Sequence, residues 1–348
     1  MKPFRAAILQ QSRQPLVVDT ITPAAELKAG QVSVKIRYSG ICGAQINEID
    51  AAKGPDKFLP HLLGHEGLGV VQEVGPLVKS VSPGDTVVLH WMPGAGIQSD
   101  PAAYLWNDKP LNAGWVTTLS EFTIVSENRV TRLDSTIDPR YAPLLGCAAT
   151  TAAGVIGRDA ALKLGESVVV LGTGGVGLLV VEAARASGGY PIVGVDLVDE
   201  RLSHAQAMGA GTVLNAATAG SDLETQIRAA VGGAPDVVIE TTGATAMIEL
   251  GYRLVSGGGR CVLVGVPRHD QPASIDTLPL HFNAVLTGSK GGDTNPAVDI
   301  PRLARLAEAG LFQLEKLPVT MLSLDQVNEG IDSVRQGLPG RVVIDMEA

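Results

Sequence analysis

Two rhythms of apolar and polar positions divide the chain near residue 147. Before it, short β-rich runs such as residues 31–38 (QVSVKIRY) and 69–74 (GVVQEV) alternate with Gly- and Pro-rich turns, a pattern that predicts an antiparallel, barrel-like domain. From Ala148 the rhythm changes: β-branched runs at residues 167–172, 192–196, 212–215, 237–240 and 261–265 are separated by helical stretches. Such alternation predicts an α/β domain, a right-handed parallel sheet with helices on both faces. The opening Met1-Lys2-Pro3-Phe4-Arg5-Ala6-Ala7-Ile8 lacks the apolar core of a secretion signal and reads as a first strand. The tail predicts helices at residues 301–309 and near 324–335, then a closing strand, Arg341-Val342-Val343-Ile344-Asp345.

One junction in the second half carries chemistry. Ser167-Val168-Val169-Val170-Leu171 runs into Gly172-Thr173-Gly174-Gly175-Val176-Gly177, a helical stretch follows to Ala186, and Ile192-Val193-Gly194-Val195-Asp196 ends on an acid. A lone G-x-G-x-x-G says little. One that follows a strand, opens a helix and is trailed by an acidic strand end has the context of a dinucleotide-binding turn. Gly172 permits the tight turn, Gly174 lets the backbone approach a pyrophosphate, and Gly177 lets helix pack on strand. Gly175 and Val176 begin a helix whose free N–H groups and positive end suit phosphate. Asp196 is placed to accept from the adenosine ribose hydroxyls and to repel a 2′-phosphate, so NAD is expected over NADP.

A metal site is the second candidate. Of three cysteines, Cys42 lies in Ser39-Gly40-Ile41-Cys42-Gly43 and Cys147 in Leu145-Gly146-Cys147-Ala148, with Gly64-His65-Glu66 between them. Two thiolates and one imidazole form a known zinc ligand set that leaves the fourth position free for a substrate oxygen. Taken singly, a cysteine or histidine is more often a packed residue than a ligand. The trio followed by a dinucleotide turn favours the metal. Cys261, inside a strand-like run, reads as a buried apolar residue.

With these segments in view, the chain resembles the zinc-dependent alcohol dehydrogenases of the medium-chain dehydrogenase/reductase superfamily over essentially its whole length. The similarity is carried by the order of the Gly-Ile-Cys segment, Gly-His-Glu, the Pro83-Gly84-Asp85-Thr86-Val87 strand entry, the Cys147 helix, the glycine-rich turn and the closing strand. It implies a GroES-like catalytic domain over residues 1–147 and 286–348 and a Rossmann NAD-binding domain over residues 148–285. It implies one catalytic zinc on Cys42, His65 and Cys147, with Glu66 behind the metal and able to replace water on it. It further implies that Thr151 contacts the nicotinamide end of NAD and that Arg341 lies near the cofactor phosphates.

The departures from the family pattern matter as much. Many members carry four closely spaced cysteines for a structural zinc, and residues 93–115 contain none. A second zinc is therefore not expected, and the rings of Tyr104, Trp106 and Trp115 are expected to hold this lobe by packing or, failing that, to line a substrate entrance or a subunit contact. Where the family places a hydroxyl and a relay histidine, this chain has Ala44 and Asn47, and Gln45 stands where an Asp commonly orients the ligating histidine. Alcohol deprotonation then needs another route: water, a substrate hydroxyl, Glu48 or His90. Trp91 is expected to wall the substrate pocket, with His90 and Glu48 as further candidates. A polar set of Gln45, Asn47, Glu48, His90 and Asn112 points toward a sugar, cyclitol or polyol in preference to ethanol.

Composition narrows the remaining classes. A chain of 348 residues exceeds one typical core, so two domains are expected. The scattered cysteines suggest no disulfide framework, in keeping with a cytoplasmic enzyme. No run of about twenty apolar residues suggests a membrane span, and a formal charge of −9 argues against nucleic acid. The expected activity is reversible hydride transfer between a small-molecule alcohol and NAD. Two alternatives are a zinc-free NAD(P)H-dependent quinone or enone reductase on the same fold and a non-catalytic NAD- and zinc-binding protein. By analogy with related dehydrogenases, an apolar edge at residues 275–288 predicts a homodimer or homotetramer.

Overall fold

The computed structural model describes residues 2–52, 54–267 and 270–348; Met1, the first residue of the expected opening strand, lies outside them. The chain forms two compact units, Met1–Cys147 with Asn295–Glu308 and Val319–Ala348, and Ala148–Thr294 with Ala309–Pro318.

In the first unit, strand Gln31–Ile41 is the spine. Along one side it pairs antiparallel with Gly67–Val74; along the other, Phe122–Ser126 covers its first half and Arg341–Asp345 its second. Strands Thr86–Leu89 and Val130–Arg132 extend the sheet beyond Gly67–Val74, and Val319–Ser323 extends it beyond the closing strand. Val32, Val34, Ile36, Val71, Val87 and Leu89 fill one face, as the alternating pattern requires. A second sheet contains the opening strand Phe4–Leu9 and ends in a hairpin, Tyr104–Trp106 with Lys109–Leu111. The spine's far end delivers Cys42, and its partner begins at Gly67, opposite Ser39. Residues 42 and 65–66 are therefore brought side by side by sheet register.

The second unit holds a six-stranded parallel sheet in the order Thr212–Asn215, Ile192–Asp196, Val168–Leu171, Val237–Glu240, Arg260–Leu263 and Val285–Gly288. This is the doubly wound Rossmann order, reversing beside the strand that feeds the glycine-rich turn. All four residues of Val168–Leu171 are buried, as covering helices on both faces demand. The catalytic-domain return expected at residue 286 comes later, at Asn295. Leu286 stays with the second unit because Val285–Gly288 pairs in parallel with Arg260–Leu263. Residues 309–318 also stay, held by the buried Glu182 carboxylate, which accepts from Arg185 and from the Gln313 N–H at 2.5 Å. Of the expected apolar edge, only residues 285–288 are strand, and Leu278–Phe282 is a 3-10 turn.

Candidate functional site

Sheet register and one packed turn assemble the metal candidate entirely within the first unit. Cys42 directly follows the spine strand as the N-cap of helix Gly43–Ile49, and His65 precedes Gly67–Val74. Cys147 follows the buried turn Ala142–Gly146, whose last residue lies against the Leu89 carbonyl and the Glu66 Cα. Ligand atoms of Cys42, His65 and Cys147 all lie within 4.8 Å of one another, and among the described residues no other such group of three donors occurs. Zinc holds sulfur at about 2.3 Å and nitrogen at about 2.0 Å, so tetrahedral donors stand roughly 3.5–4 Å apart. The trio fits such an ion in donor type and spacing. Its own electrostatics agree: a hydrogen bond with Cys147, opposed by burial and aided by His65 and Arg341, holds the Cys42 thiol well below the ordinary thiol range.

Around the trio, neighbouring side chains set positions. Gln45, 1% exposed, accepts from the Cys42 N–H at 2.7 Å through Oε1 and places Nε2 2.5 Å from His65 Nδ1. Glu66, 0% exposed, forms an ion pair with Arg341, itself buried. A Cβ at residue 40 would come within 2.5 Å of Glu66 Oε1, so only glycine leaves room for this carboxylate beside the spine. Thr118 Oγ1, 2.8 Å from Ser39 Oγ, also donates to the Glu66 carbonyl at 3.4 Å. The Arg341–Glu66 pairing escaped the sequence, since nothing local connects charges so far apart in the chain. Gln45 was legible as a departure but not as a bridge.

The pocket residues fare unevenly. His90 is wholly buried, with Nδ1 2.8 Å from the Met92 carbonyl and Nε2 2.9 Å from Thr131 Oγ1. Committed to the protein on both nitrogens, it leaves the list of substrate-pocket and proton-relay candidates. Gln45 leaves the polar set for the same reason. Asn112 gives its amide to the Phe58 carbonyl at 2.7 Å. Glu48 keeps a half-exposed carboxylate, 3.9 Å from His61 Nε2, and Trp91 remains partly exposed.

In the second unit, the turn has the form a pyrophosphate needs. Gly172 has φ of +90°, and a Cβ at Gly177 would strike the Gly172 carbonyl. A Cβ at Gly174 would meet nothing within 4 Å, leaving an open face where helix Gly175–Ala186 begins with no side-chain cap on its N–H groups. Asp196 ends its strand as expected, but its oxygens are already employed. Oδ2 accepts from the Thr173 N–H at 2.8 Å, and Oδ1 accepts from the Leu197 N–H at 2.8 Å and from Arg201 at 3.3 Å. The carboxylate thus ties the glycine-rich turn to the next loop. Thr151 is buried on helix Ala148–Gly154. Cys261 is fully buried, and burial together with the Glu240 charge pushes its thiol up to about 12, leaving it inert as a nucleophile.

Comparison with known proteins agrees with this architecture. Residues 28–135 match the alcohol dehydrogenase GroES-like domain and residues 175–308 match the zinc-binding dehydrogenase family. The chain is 28% identical to alcohol dehydrogenase 1 of Trifolium repens, across 99% of this chain and 97% of that protein. It is 28% identical to an S-(hydroxymethyl)glutathione dehydrogenase of Escherichia coli, across 98% and 99%. Among solved structures, an alcohol dehydrogenase zinc-binding domain protein from Burkholderia ambifaria superposes with a TM-score of 0.91 at 26% identity, covering 99% of both chains. The chain belongs to the zinc-type alcohol dehydrogenases of the medium-chain dehydrogenase/reductase superfamily, and its activity is that of a zinc- and NAD-dependent alcohol oxidoreductase.

Proposed function

We propose that Cys42, His65 and Cys147 are the ligands of a single catalytic zinc and that the 172–177 turn with Asp196 holds NAD. The observation that carries the metal assignment is the convergence of three donors within 4.8 Å at the meeting of two strand ends and a packed turn. Zinc bound there would stabilise alkoxide character on the substrate oxygen, and NAD would accept the hydride. The chain's own residues orient these groups. Gln45 fixes the His65 ring, Arg341 holds the Glu66 carboxylate, and the open face at Gly174 receives phosphate. Thr151 is assigned to the nicotinamide end. Arg341, engaged by Glu66, is assigned to the cofactor phosphates only through its remaining N–H groups. With Ala44 lacking a hydroxyl and His90 committed elsewhere, proton loss falls to water, to a substrate hydroxyl or to Glu48.

Only Asn47 and Glu48 now favour a polyhydroxylated alcohol, with Trp91 assigned to the pocket wall. No helix of the described residues is long and apolar enough to cross a membrane, and we place the enzyme in the cytoplasm. We further infer a homodimer or homotetramer through the outer edge of the parallel sheet.

Elemental analysis of the purified protein is expected to give one zinc per chain. Cys42→Ser and Cys147→Ser are expected to lose both metal and alcohol-dependent NAD reduction while NAD binding survives, because the cofactor turn lies in the other unit. Two zinc ions per chain would require ligands outside the trio. None even after dialysis against added zinc would favour the zinc-free reductase.

A further inference from the structure

Gln45 sets a donor and acceptor pattern around His65 that suits the ring better without a metal than with one. The two partners of the amide lie at opposite ends: Oε1 accepts from the Cys42 N–H at 2.7 Å, and Nε2 stands 2.5 Å from His65 Nδ1. An amide nitrogen only donates, so Nδ1 accepts. The proton of a neutral His65 ring then sits on Nε2, the nitrogen left for the cysteines. Both the Cys42 N–H and His65 Nδ1 then have partners of the right kind on Gln45. A metal at Nε2 occupies the proton's place, and the neutral ring must carry its proton on Nδ1. Two donors then face each other across the 2.5 Å contact. Turning the amide over only moves the conflict, since Gln45 Nε2 would face the Cys42 N–H. A carboxylate at residue 45 offers acceptors at both ends and meets no conflict.

We propose that Gln45 is a positioning residue that weakens the trio's grip on zinc, so that this chain holds its metal less tightly than the same ligands would with a carboxylate at position 45. Metal occupancy is thereby coupled to the first turn of helix Gly43–Ile49, which Gln45 caps by accepting from the Cys42 N–H. The proposal rests on the reading of Cys42, His65 and Cys147 as ligands.

Two measurements on metal-free full-length protein test it. Long-range nitrogen–proton NMR correlations of His65 are expected to show the ring proton on Nε2, and a proton on Nδ1 overturns the proposal. Zinc titration against a chromophoric chelator is expected to show Gln45→Glu binding about 10-fold tighter or more than wild type. Gln45→Met removes the donor without adding charge and is expected to bind at least as tightly as wild type. A Gln45→Glu variant no tighter than wild type, or a Gln45→Met variant weakened tenfold, overturns it. Failure of all three proteins to take up zinc would remove the ligand assignment and this proposal with it, whereas uptake in the wrong order removes the Gln45 role alone. Should Gln45→Glu fail to fold by circular dichroism, the wild-type ring proton and Gln45→Met still decide.

Discussion

The His90 imidazole gives its Nδ1 proton to the Met92 carbonyl and takes one from Thr131 Oγ1. Burial, reinforced by the Arg129 charge and opposed by backbone partners, lowers its pKa from the usual 6.5 to about 4. The unfolded chain therefore binds a proton between pH 6.5 and about 4 that the folded protein refuses, and stability falls as pH drops through that window. Acidification from neutral pH to about 4.5 is expected to cost wild type roughly 2 kcal/mol more than His90→Gln, which keeps a donor and an acceptor but does not titrate. Urea unfolding of both proteins at the two pH values measures the difference, and equal losses would mean that His90 is not held neutral. At this scale the sequence reveals which residues have chemistry and not which are free to use it. His90 and His65 look alike in the chain. Only the buried Thr131 partner on one and the neighbouring thiols of the other separate them.

Within the elements, the cysteine-free lobe shows how a loop is secured without metal. Tyr104 packs edge-on against Phe4 with ring centroids 6.0 Å apart, and its oxygen accepts from the Ile124 N–H at 2.9 Å. Trp106 bonds Asp19 at 2.7 Å, whereas Trp115 lies half exposed over Arg129. The expected aromatic packing therefore accounts for the hairpin but not for residues 96–99. Those are clasped by Glu127, whose Oε1 accepts from the Lys79 and Ser80 N–H groups and whose Oε2 accepts from the Ile97 N–H at 2.9 Å. Burial alone would raise this carboxyl, but the backbone donors prevail and hold it below the ordinary range. Its contribution is present above the unfolded pKa and lost as pH falls through the folded one. Glu127→Gln sets an amide donor against backbone N–H groups and is expected to cost about 1–3 kcal/mol, with faster amide exchange at Ile97. Unchanged urea stability would show the clasp to be idle. Strands such as Ile192–Asp196 were legible to the residue because burial on both faces imposes continuous apolar runs. The Glu127 clasp was not, because a carboxylate that serves backbone amides requires no particular side chain at the positions it holds.

On the scale of the whole molecule, the question is what covers the outer edge of the parallel sheet. Val285–Gly288 is the last strand in its order and has no further strand partner among the described residues, so a row of backbone donors and acceptors faces outward. Beside it Leu278 and Phe282 are 60% and 63% exposed, and Leu280 and Val285 are each more than two-fifths exposed. An uncovered edge flanked by large apolar side chains is an aggregation site unless something pairs with it. Two copies related by a twofold axis, as proposed above, would supply the same strand to each other, satisfying the backbone and burying the flanking side chains on both partners at once. A net charge of −9 opposes indiscriminate association. Light scattering of the wild type at micromolar concentration is expected to give the mass of a dimer or tetramer. The double variant Leu280→Asp, Phe282→Asp is expected to shift toward the monomer, since each dimer would then bury four uncompensated carboxylates. Neither residue lies among those assigned to metal or cofactor, so zinc content per chain is expected to survive the shift. A wild type that is monomeric at that concentration would leave the apolar edge without its proposed partner.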